Sequence, residues 1–226
     1  MMYHLYIGYQ NYSSWSLRPW LLLKHFNIPF TQTVVRVDGK GIKASHRAYS
    51  DNGLVPCLHD QNFRVWDSMA ICEYLAEQYP AMWPADRQAR ARARSICAEM
   101  HSGFGALRSQ LPMNVRLRAK GKANTPEVAA DLARIFAIWR NARDMTASNQ
   151  VAGDYLFGEF SIADAMYSPV IWRLYSYGVQ LPDDIARYVD TMLAHPAMQE
   201  WEQAAQQEDV FLSFDELIEQ FGGVRA

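Results

Sequence analysis

Across Asn11-Tyr12-Ser13-Ser14-Trp15-Ser16-Leu17-Arg18-Pro19-Trp20 the sequence changes from a strand pattern to a helix pattern. The preceding stretch, 3–9, is rich in aromatic and branched residues, which is typical of a buried strand. After the join, apolar residues recur at helical spacing as far as Phe26. With Ser16 as the N-cap, Pro19 falls in the first helical turn, where its missing N–H would have no partner anyway. We therefore predict a strand, a tight join and a helix that begins close to the serines.

Hydroxyl groups cluster at this predicted helix N-terminus. Free N–H groups and the helix dipole stabilise an anion at such a point by about 0.3–1 kcal/mol. The hydroxyls of Ser13 and Ser14 would point toward that anion. The alternative is that the serines only cap the helix. The rest of the chain decides between these two interpretations.

Length and composition are those of a soluble globular protein. The chain has 226 residues, half of them hydrophobic, which is enough for a sizeable core. A net charge of -2 and a pI near 6.3 give no overall electrostatic footprint for nucleic acid or for an anionic membrane. The first residues lack the basic and apolar regions of a signal peptide, and no apolar run is long enough to cross a bilayer. We expect a cytoplasmic protein without nucleic-acid or membrane partners.

Cysteine and histidine usage argues against disulfide, redox and metal chemistry. Cys57, Cys72 and Cys97 form no C-x-x-C pair, and we predict that each is a small buried hydrophobe. The six histidines lie far apart, without H-E-x-x-H or a similar ligand spacing, so we expect no metal site. G-x-S-x-G, G-x-x-x-x-G-K-[ST] and G-x-G-x-x-G are all absent. These absences remove the simplest hydrolase, P-loop and dinucleotide-binding interpretations.

The first 80 residues predict a small α/β domain. A second strand is expected at 30–37, which with the first strand and helix makes a βαβ unit with parallel strands. A short helix is predicted at 42–49, then two strands, 57–59 and 63–66, joined by the tight turn Asp60-Gln61-Asn62 into an antiparallel hairpin. Asp67-Ser68 caps a helix that runs to about Gln78. The order is therefore βαβ-ββα over residues 1–80.

Beyond the proline-containing linker 81–85, residues 86–226 predict an all-helical domain. One long helix is expected from Asp86 to about Ser109, followed by the basic loop 111–124. Further helices are predicted with Thr125 as N-cap, from 161 to 175, and from near Asp183 and Pro196. The predicted fold class is thus α/β plus all-α, an N-terminal domain followed by a C-terminal helical bundle.

Three motifs in this arrangement resemble the glutathione transferase superfamily, whose N-terminal domain is thioredoxin-like. Val55-Pro56 is similar to the family's Val-Pro with a cis peptide bond, and Asp67-Ser68-Met69-Ala70-Ile71 to its acidic-Ser-x-Ala-Ile motif. Ser161-Ile162-Ala163-Asp164 is similar to its Ser-x-Ala-Asp capping box, a folding element in which serine and aspartate cap each other. The motifs lie in both predicted domains, so the resemblance extends over the whole chain, and it is to a serine-type, bacterial-like member of the superfamily.

The resemblance implies glutathione as co-substrate and a set of binding residues. The extended tripeptide would exchange main-chain hydrogen bonds with Val55 beside Pro56. Its γ-glutamyl carboxylate would lie on the helix N-terminus at Ser68, and Asp67 would meet the ammonium group. For the glycyl carboxylate, members of the family often use a polar side chain just before Val-Pro. Here Leu54 stands there, so Lys40 or Lys43 is expected to supply the contact.

The thiol would then lie at the join between the first strand and helix. A free thiol has a pKa near 8.5, and a hydroxyl donor at a helix N-terminus favours the thiolate. Ser13 is the first candidate for this catalytic donor and Ser14 the second, while Tyr9 and Tyr12 offer phenolic alternatives. The absence of cysteine from the segment favours transfer or isomerisation over thiol reduction.

The same segment is similar to the Ser-Ser-Cys-x-Trp-x-x-Arg signature of zeta-class members, the maleylacetoacetate isomerase type. Placing Trp15 and Arg18 on that signature puts Ser13 at the cysteine and Asn11-Tyr12 at the serine pair. A glutathione-dependent cis-trans isomerase is therefore the alternative activity. This departure also leaves open which hydroxyl is catalytic.

A second, electrophilic substrate is expected between the domains. His101, Phe104, Leu107 and Arg108 have helical spacing on the predicted long helix. Phe104 and Leu107 are either helical core or substrate contacts, and Arg108 could meet an anionic electrophile. The resemblance also implies a homodimer.

Two other functions compete with glutathione transfer. The arginine-rich run 87–94 suggests a nucleic-acid or phosphate-binding surface, although a solvated helix face or a subunit contact suits the near-neutral chain better. The other function is non-catalytic: a protein with the glutathione transferase fold that only binds glutathione or acts as a scaffold, since a fold does not entail an activity.

Overall fold

The computed structural model describes residues 2–35, 44–119, 125–148, 151–208 and 224–225. The strands are β1 (Tyr3–Ile7), β2 (Phe30–Val34), β3 (Cys57–Asp60), β4 (Phe63–Trp66), β5 (Leu117–Arg118) and β6 (Val224–Arg225). The helices are α1 (Ser14–His25), α2 (Ser68–Gln78), α3 (Arg87–Ser102), α4 (Gly105–Gln110), α5 (Pro126–Ser148), α6 (Ile162–Ser176), α7 (Asp183–Leu193) and α8 (Pro196–Gln207). Short 3₁₀ turns lie at Ala44–Ala48, within the predicted helix 42–49, and at Pro80–Met82.

The N-terminal part is a four-stranded sheet of order β2-β1-β3-β4 with helices packed on it. β1 and β2 pair in parallel, with Tyr3 opposite Phe30, as the βαβ pattern predicts. β3 pairs antiparallel with both β1 and β4, and the tight hairpin turn contains Gln61 at a φ of 55°. β2 ends at Val34, three residues before the predicted end. The small mixed sheet followed by helices confirms the predicted fold class.

The start of α1 differs from the prediction. Ser13, not Ser16, is the N-cap, and its hydroxyl accepts the Ser16 N–H at 3.4 Å. Pro19 consequently lies inside the helix rather than in its first turn. The reason is that the Ser16 hydroxyl is buried and accepts the Gly8 N–H at 3.0 Å, so it serves the strand end and is not available as a cap.

The start of α2 is capped as predicted. Oδ1 of Asp67 accepts the N–H groups of Met69 and Ala70 at 2.9 and 3.1 Å. Asp67 holds a positive φ of 74°, which turns the chain out of β4 and into the helix. Ser68 is therefore the first helical residue, and its backbone and hydroxyl lie at the positive end of the helix dipole.

The predicted single helix from Asp86 to Ser109 is wrong. α3 ends at Ser102, and Phe104 adopts a left-handed φ of 60° before α4 begins. Arg108 stabilises the break, because its Nε donates to the Gly103 carbonyl at 2.8 Å. The break places Leu107 and Arg108 on α4, a separate helix from that of His101.

The helical part is organised around α6, whose residues are almost all buried and which packs on α1, α3 and α7. Its start is the predicted capping box between Ser161 and Asp164. The Asp164 carboxylate also accepts the Leu156 N–H and the Tyr188 hydroxyl, both at 3.0 Å. The motif therefore ties the loop before α6 and helix α7 to one buried carboxylate.

The structure also pairs β5 with β6 in a two-residue antiparallel ladder, which was not predicted from the sequence. Cys57, Cys72 and Cys97 are buried and unpaired, as predicted, and burial raises the pKa of each thiol. Of the helices in the described parts of the chain, none combines the length and the apolar character needed to cross a membrane.

Candidate functional site

A cavity of about 340 Å³ lies where the turn before β3 meets the N-termini of α1 and α2. This volume falls within the usual range for small-molecule pockets, about 300–1,000 Å³. The lining residues are Trp15, Asn52, Leu54, Val55, Pro56, Asp67 and Ser68. Five of these seven were predicted as site residues, from three sequence motifs far apart in the chain. The structure thus brings the Val-Pro turn, the α2 N-terminus and the α1 N-terminus to one cavity.

Ser13 lies beside the Val-Pro turn. The Val55-Pro56 peptide bond is cis, in agreement with the prediction. A Cβ placed on Gly8 would lie 3.0 Å from the Ser13 Oγ and 3.2 Å from a methyl group of Val55. Glycine at the end of β1 therefore lets the Ser13 hydroxyl and the Val55 side chain approach the same point.

The Ser13 hydroxyl donates to Ser16 Oγ at 2.7 Å. Ser16 Oγ also accepts the Gly8 N–H at 3.0 Å, and Ser13 Oγ accepts the Ser16 N–H at 3.4 Å. A hydroxyl hydrogen rotates about its C–O bond, so the Ser13 hydrogen can turn from Ser16 to a ligand atom while the Ser16 hydroxyl donates to Ser13 Oγ instead. Ser16 therefore holds the Ser13 hydroxyl in place as a candidate ligand donor.

The backbone N–H groups at the join have partners within the protein. The Ser13 N–H donates to the Tyr9 carbonyl at 2.8 Å and the Ser14 N–H to the Tyr12 carbonyl at 3.0 Å. The bend before α1 therefore uses the amides of Ser13 and Ser14 itself. Ser14 is also buried, whereas Ser13 and Tyr12 are partly exposed. The partly exposed hydroxyl groups of Ser13 and Tyr12 are therefore candidate ligand donors at the join.

At the other end of the cavity, Ser68 and Asp67 each have a partner from another element. The buried Ser68 hydroxyl accepts from Arg18 Nη1 at 3.3 Å. Because its oxygen accepts this bond, its hydrogen can donate outward to a ligand carboxylate. The second oxygen of Asp67 lies 3.2 Å from Nε2 of His101 on α3. The helical part thus contributes directly to this end of the cavity.

Arg18 is fully buried below the cavity. Its guanidinium stacks on the Trp15 ring at 4.4 Å, and its Nε and Nη2 have no partner among the described residues. Burial, and then repulsion from Arg108, lowers the pKa of Arg18 to about 9. A buried cation without a carboxylate partner is costly to a fold. Its position under Ser68 fits a site that receives an anion.

Trp15 is contacted by an arginine and a histidine from the helical part, in addition to Arg18. The Arg108 guanidinium lies 4.9 Å from the Trp15 ring, and the His101 ring meets it edge-on at 5.3 Å. Arg108 is held in place by the carbonyls of Met100 and Gly103, and burial lowers its pKa. Phe104 and Leu107, in contrast, lie in the hydrophobic core, 8% and 0% exposed. Of the predicted second-substrate residues, His101 and Arg108 lie against Trp15 of the cavity.

Several residues near the site were missed in the sequence. Asn52 lines the cavity, and its Oδ1 accepts from the Ser50 hydroxyl and the Leu54 N–H, which leaves its amide nitrogen for a ligand. The Ser-Asp-Asn-Gly turn signal before Val55 was the available clue. Contacts of Glu208 and Arg116 with the bend before α1 had no sequence signal. Lys40 and Lys43 lie outside the described residues.

Within the described parts of the chain, no group of three or more histidine, cysteine, aspartate or glutamate side chains is arranged to hold a metal ion.

Each half of the chain matches a known family model. The family model for "Glutathione S-transferase, N-terminal domain" matches residues 12–78, and that for "Glutathione S-transferase, C-terminal domain" matches residues 87–204. The curated Escherichia coli K12 protein glutathione S-transferase GstB is 27% identical over 195 residues, covering 81% of this chain and 84% of its own. Mouse glutathione S-transferase theta-1 is 34% identical over 89 residues, or 38% of this chain and 37% of its own.

Solved structures with the same architecture include one that contains glutathione. A glutathione transferase homologue from Burkholderia GL BGR1, with bound glutathione, has a TM-score of 0.67 at 25% identity and covers 92% of this chain and 100% of its own. Human glutathione S-transferase T1-1, in its apo form, has a TM-score of 0.65 at 24% identity, with 97% and 95% coverage. An epsilon-class enzyme from the housefly has a TM-score of 0.70 at 17% identity, with 97% and 98% coverage.

Proposed function

Since the chain belongs to the glutathione S-transferase family, we propose that it activates the thiol of glutathione for attack on a small electrophile, the chemistry of detoxification. The observation that carries this proposal is the approach of the Ser13 hydroxyl to Val55 around Gly8. Val55 lines the cavity that also contains Ser68 at the N-terminus of α2, and Ser13 lies beside Val55. One extended tripeptide can then be held at Ser68 and Val55 while its sulfur lies by Ser13.

The binding contacts follow the chemistry of the two ends of glutathione. The γ-glutamyl carboxylate accepts from the hydroxyl and N–H of Ser68, with the buried charge of Arg18 below it. Asp67 faces the ammonium group through the oxygen that also lies near His101. Val55 exchanges main-chain hydrogen bonds with the cysteinyl residue. The Asn52 amide donates to the glycyl carboxylate, a contact that Lys40 is also proposed to make.

In this proposal Ser13 donates a hydrogen bond to the sulfur and so favours the thiolate. It need not ionise, because a donor to the charged form lowers the thiol pKa by itself. Ser14 is the second choice, since it is buried behind Ser13. Tyr12 is the phenolic alternative, although its hydroxyl accepts from Arg116 Nη2 at 3.3 Å. The activating residue is an oxygen donor in each case, which suits transfer and isomerisation and not mixed-disulfide chemistry.

The electrophile is proposed to lie over Trp15, between α1 and the α3–α4 break. Trp15 is 37% exposed and offers an aromatic face, while Arg108 adds a positive charge beside it. A small aromatic or unsaturated electrophile with a carboxylate or nitro group fits this combination best. Phe104 and Leu107 shape the wall from within the core.

We further propose a homodimer in the cytoplasm. β4 is an edge strand, and its Phe63 and Trp66 are 60% and 41% exposed, which is unusual for large apolar side chains on an edge. Sedimentation of the purified chain should give twice its mass of 25.9 kDa. A mass of one chain at micromolar concentration would contradict the dimer.

The test of the activity is conjugation of glutathione to an activated haloarene. The wild-type protein should turn over, and Ser13→Ala should lower kcat about tenfold or more, because it removes a hydrogen bond to a charged group worth roughly 1.5–3 kcal/mol. Ser95→Ala is the matched control, since that exposed serine bonds only its own helix at the Ala91 carbonyl among the described residues. No glutathione-dependent turnover over a broad panel, with glutathione still bound, would favour a binding protein. Turnover of a cis dienoate to its trans form alone would favour the isomerase.

A further inference from the structure

The bend 10–12, between β1 and Ser13, is held mainly by groups from the helical part of the protein. Gln10 and Asn11 are 5% and 0% exposed, although both are polar. The Trp201 Nε1 of α8 donates to the Gln10 carbonyl at 2.7 Å. The Val115 N–H donates to the Asn11 carbonyl at 3.1 Å. The segment that leads into Ser13 therefore takes its position from a different part of the chain.

The strongest of these contacts comes from Glu208, directly after α8. Its Oε1 accepts the Gln10 N–H at 2.6 Å and its Oε2 accepts the Asn11 N–H at 3.0 Å. One carboxylate thus binds two successive backbone amides, each oxygen taking one. Hydrogen bonds to an ionised acceptor are roughly twice as strong as neutral ones, so this contact fixes the bend firmly.

Arg116 joins the same contact from the opposite side. Its N–H donates to Asn11 Oδ1 at 2.9 Å, and its Nη1 donates to the Glu208 carbonyl at 2.5 Å. Its Nη2 donates to the Tyr12 hydroxyl at 3.3 Å. Glu208 and Arg116 thus grip one bend of three residues, and the next residue is Ser13.

The sign of the charge on Glu208 separates two possible roles. A carboxylate near a bound thiolate repels it and raises the thiol pKa, so direct electrostatics would work against the proposed activity. Its geometry suits a different role, because both oxygens face backbone amides. We propose that Glu208 is a positioning residue, which acts through the bend to hold the Ser13 hydroxyl at the sulfur. This inference rests on the proposed function of Ser13.

The deciding experiment is the pKa of the bound glutathione thiol in Glu208→Gln, followed by ultraviolet absorbance of the thiolate. If the substitution acted only by removing the negative charge of Glu208, the thiol pKa would fall. If Glu208 positions the bend, the thiol pKa rises, because glutamine offers one acceptor and an NH₂ group to two N–H donors and Ser13 shifts away from the sulfur. We expect a rise of about one pKa unit with glutathione affinity changed less than about threefold, since Val55 and Ser68 are untouched. An unchanged or lower pKa overturns the proposal.

Glu200→Gln is the matched control. Glu200 lies on α8 and, like Glu208, joins the N-terminal part, here through Lys24 of α1 at 2.6 Å. Among the described residues it does not contact the bend. It should leave the thiol pKa unchanged. An equal rise in both variants would mean that any weakening of this contact between α8 and α1 has the same effect, and would overturn a specific role for Glu208.

Backbone amide exchange tests the positioning without any ligand. The amides of Gln10 and Asn11 should be protected in the wild-type protein and exchange at least tenfold faster in Glu208→Gln. Unchanged exchange overturns the inference even if glutathione activity is never found. If exchange rises but the wild-type protein does not lower the thiol pKa, the proposed function of Ser13 fails instead.

Discussion

Replacing Arg18 with methionine should make the protein bind glutathione more weakly without making it less stable. The guanidinium is fully buried, and burial and Arg108 lower its pKa from 12.5 to about 9. A change of that size corresponds to a native-state penalty on the charged form on the order of 5 kcal/mol. Methionine is shorter but fills much of the same volume without this penalty. In denaturant unfolding, Arg18→Met should therefore be as stable as wild type, or more stable by about 1–2 kcal/mol.

The expected loss of affinity comes from Coulomb attraction. Arg18 Nη1 lies 3.3 Å from the Ser68 hydroxyl, and a carboxylate bound to that hydroxyl would lie about 6 Å from the charge. At an effective dielectric constant of about 20, two unit charges at that distance attract by roughly 3 kcal/mol. Glutathione should therefore bind about 100-fold more weakly to Arg18→Met in isothermal titration calorimetry.

Two controls make this prediction specific. γ-Aminobutyryl-cysteinylglycine keeps the amine but lacks the γ-glutamyl carboxylate, so it should bind wild type and Arg18→Met equally. Arg173 is also buried with a pKa lowered to about 9, but it donates to the Leu111 and Pro169 carbonyls away from the cavity. Arg173→Met should lose stability and keep its glutathione affinity. Unchanged glutathione affinity in Arg18→Met would refute the assignment of a buried charge below the carboxylate.

Three further predictions concern the contact between His25 of α1 and His195 before α8, whose ring nitrogens lie 2.8 Å apart, the end of β1 and the start of α6. Burial and His25 lower the pKa of His195 to about 4, whereas the unfolded side chain titrates near 6.5, so stability should fall by up to about 3 kcal/mol between pH 6.5 and 4. His195→Asn, which can still cap α8, should flatten this part of the curve of unfolding free energy against pH; an unchanged slope contradicts it. Gly8→Ala should lower kcat/KM about tenfold, because the added Cβ would lie 3.0 Å from the Ser13 Oγ and displace that hydroxyl. Circular dichroism should show an intact fold, and full activity would contradict the displacement of Ser13. Asp164→Asn should cost about 3 kcal/mol in urea unfolding, since the buried carboxylate accepts four hydrogen bonds, and a loss below about 1 kcal/mol would contradict that role.

The parts of the fold that depend on local patterns could be predicted from the sequence. The parallel β1–β2 pair, the hairpin, the cap at Asp67 and the capping box at Ser161 each follow from short-range chemistry, and each is found. The start of α1 could not be predicted in this way. Three serines compete for the N-cap there, and the choice depends on the Gly8 N–H, which takes the Ser16 hydroxyl.

The break between α3 and α4 also lay beyond local patterns. Gly103 alone is tolerated in many helices, and the decisive feature is the left-handed Phe104, whose ring is buried in the core. Tertiary burial of that ring outweighs the local cost of a positive φ. The position of Arg108 against Trp15 depends on this break and could not be anticipated.

The candidate site was predictable where it consists of motifs and not where it consists of contacts between distant segments. Val55, Pro56, Asp67 and Ser68 meet in one cavity, as the motifs imply. The pairing of Glu208 with the bend before Ser13 spans almost the whole chain. No periodicity or spacing reports a contact of that kind.

The most direct test of thiol activation at the β1–α1 join is the pKa of glutathione bound to the wild-type protein and to Ser13→Ala, each titrated by thiolate absorbance. The wild-type complex should titrate about 1–2 pKa units below the free thiol value near 8.5, because a hydrogen bond to a charged sulfur contributes roughly 1.5–3 kcal/mol. In Ser13→Ala the bound thiol should return to about 8.5 while glutathione remains bound. A bound thiol with the same lowered pKa in both proteins would contradict the role of Ser13.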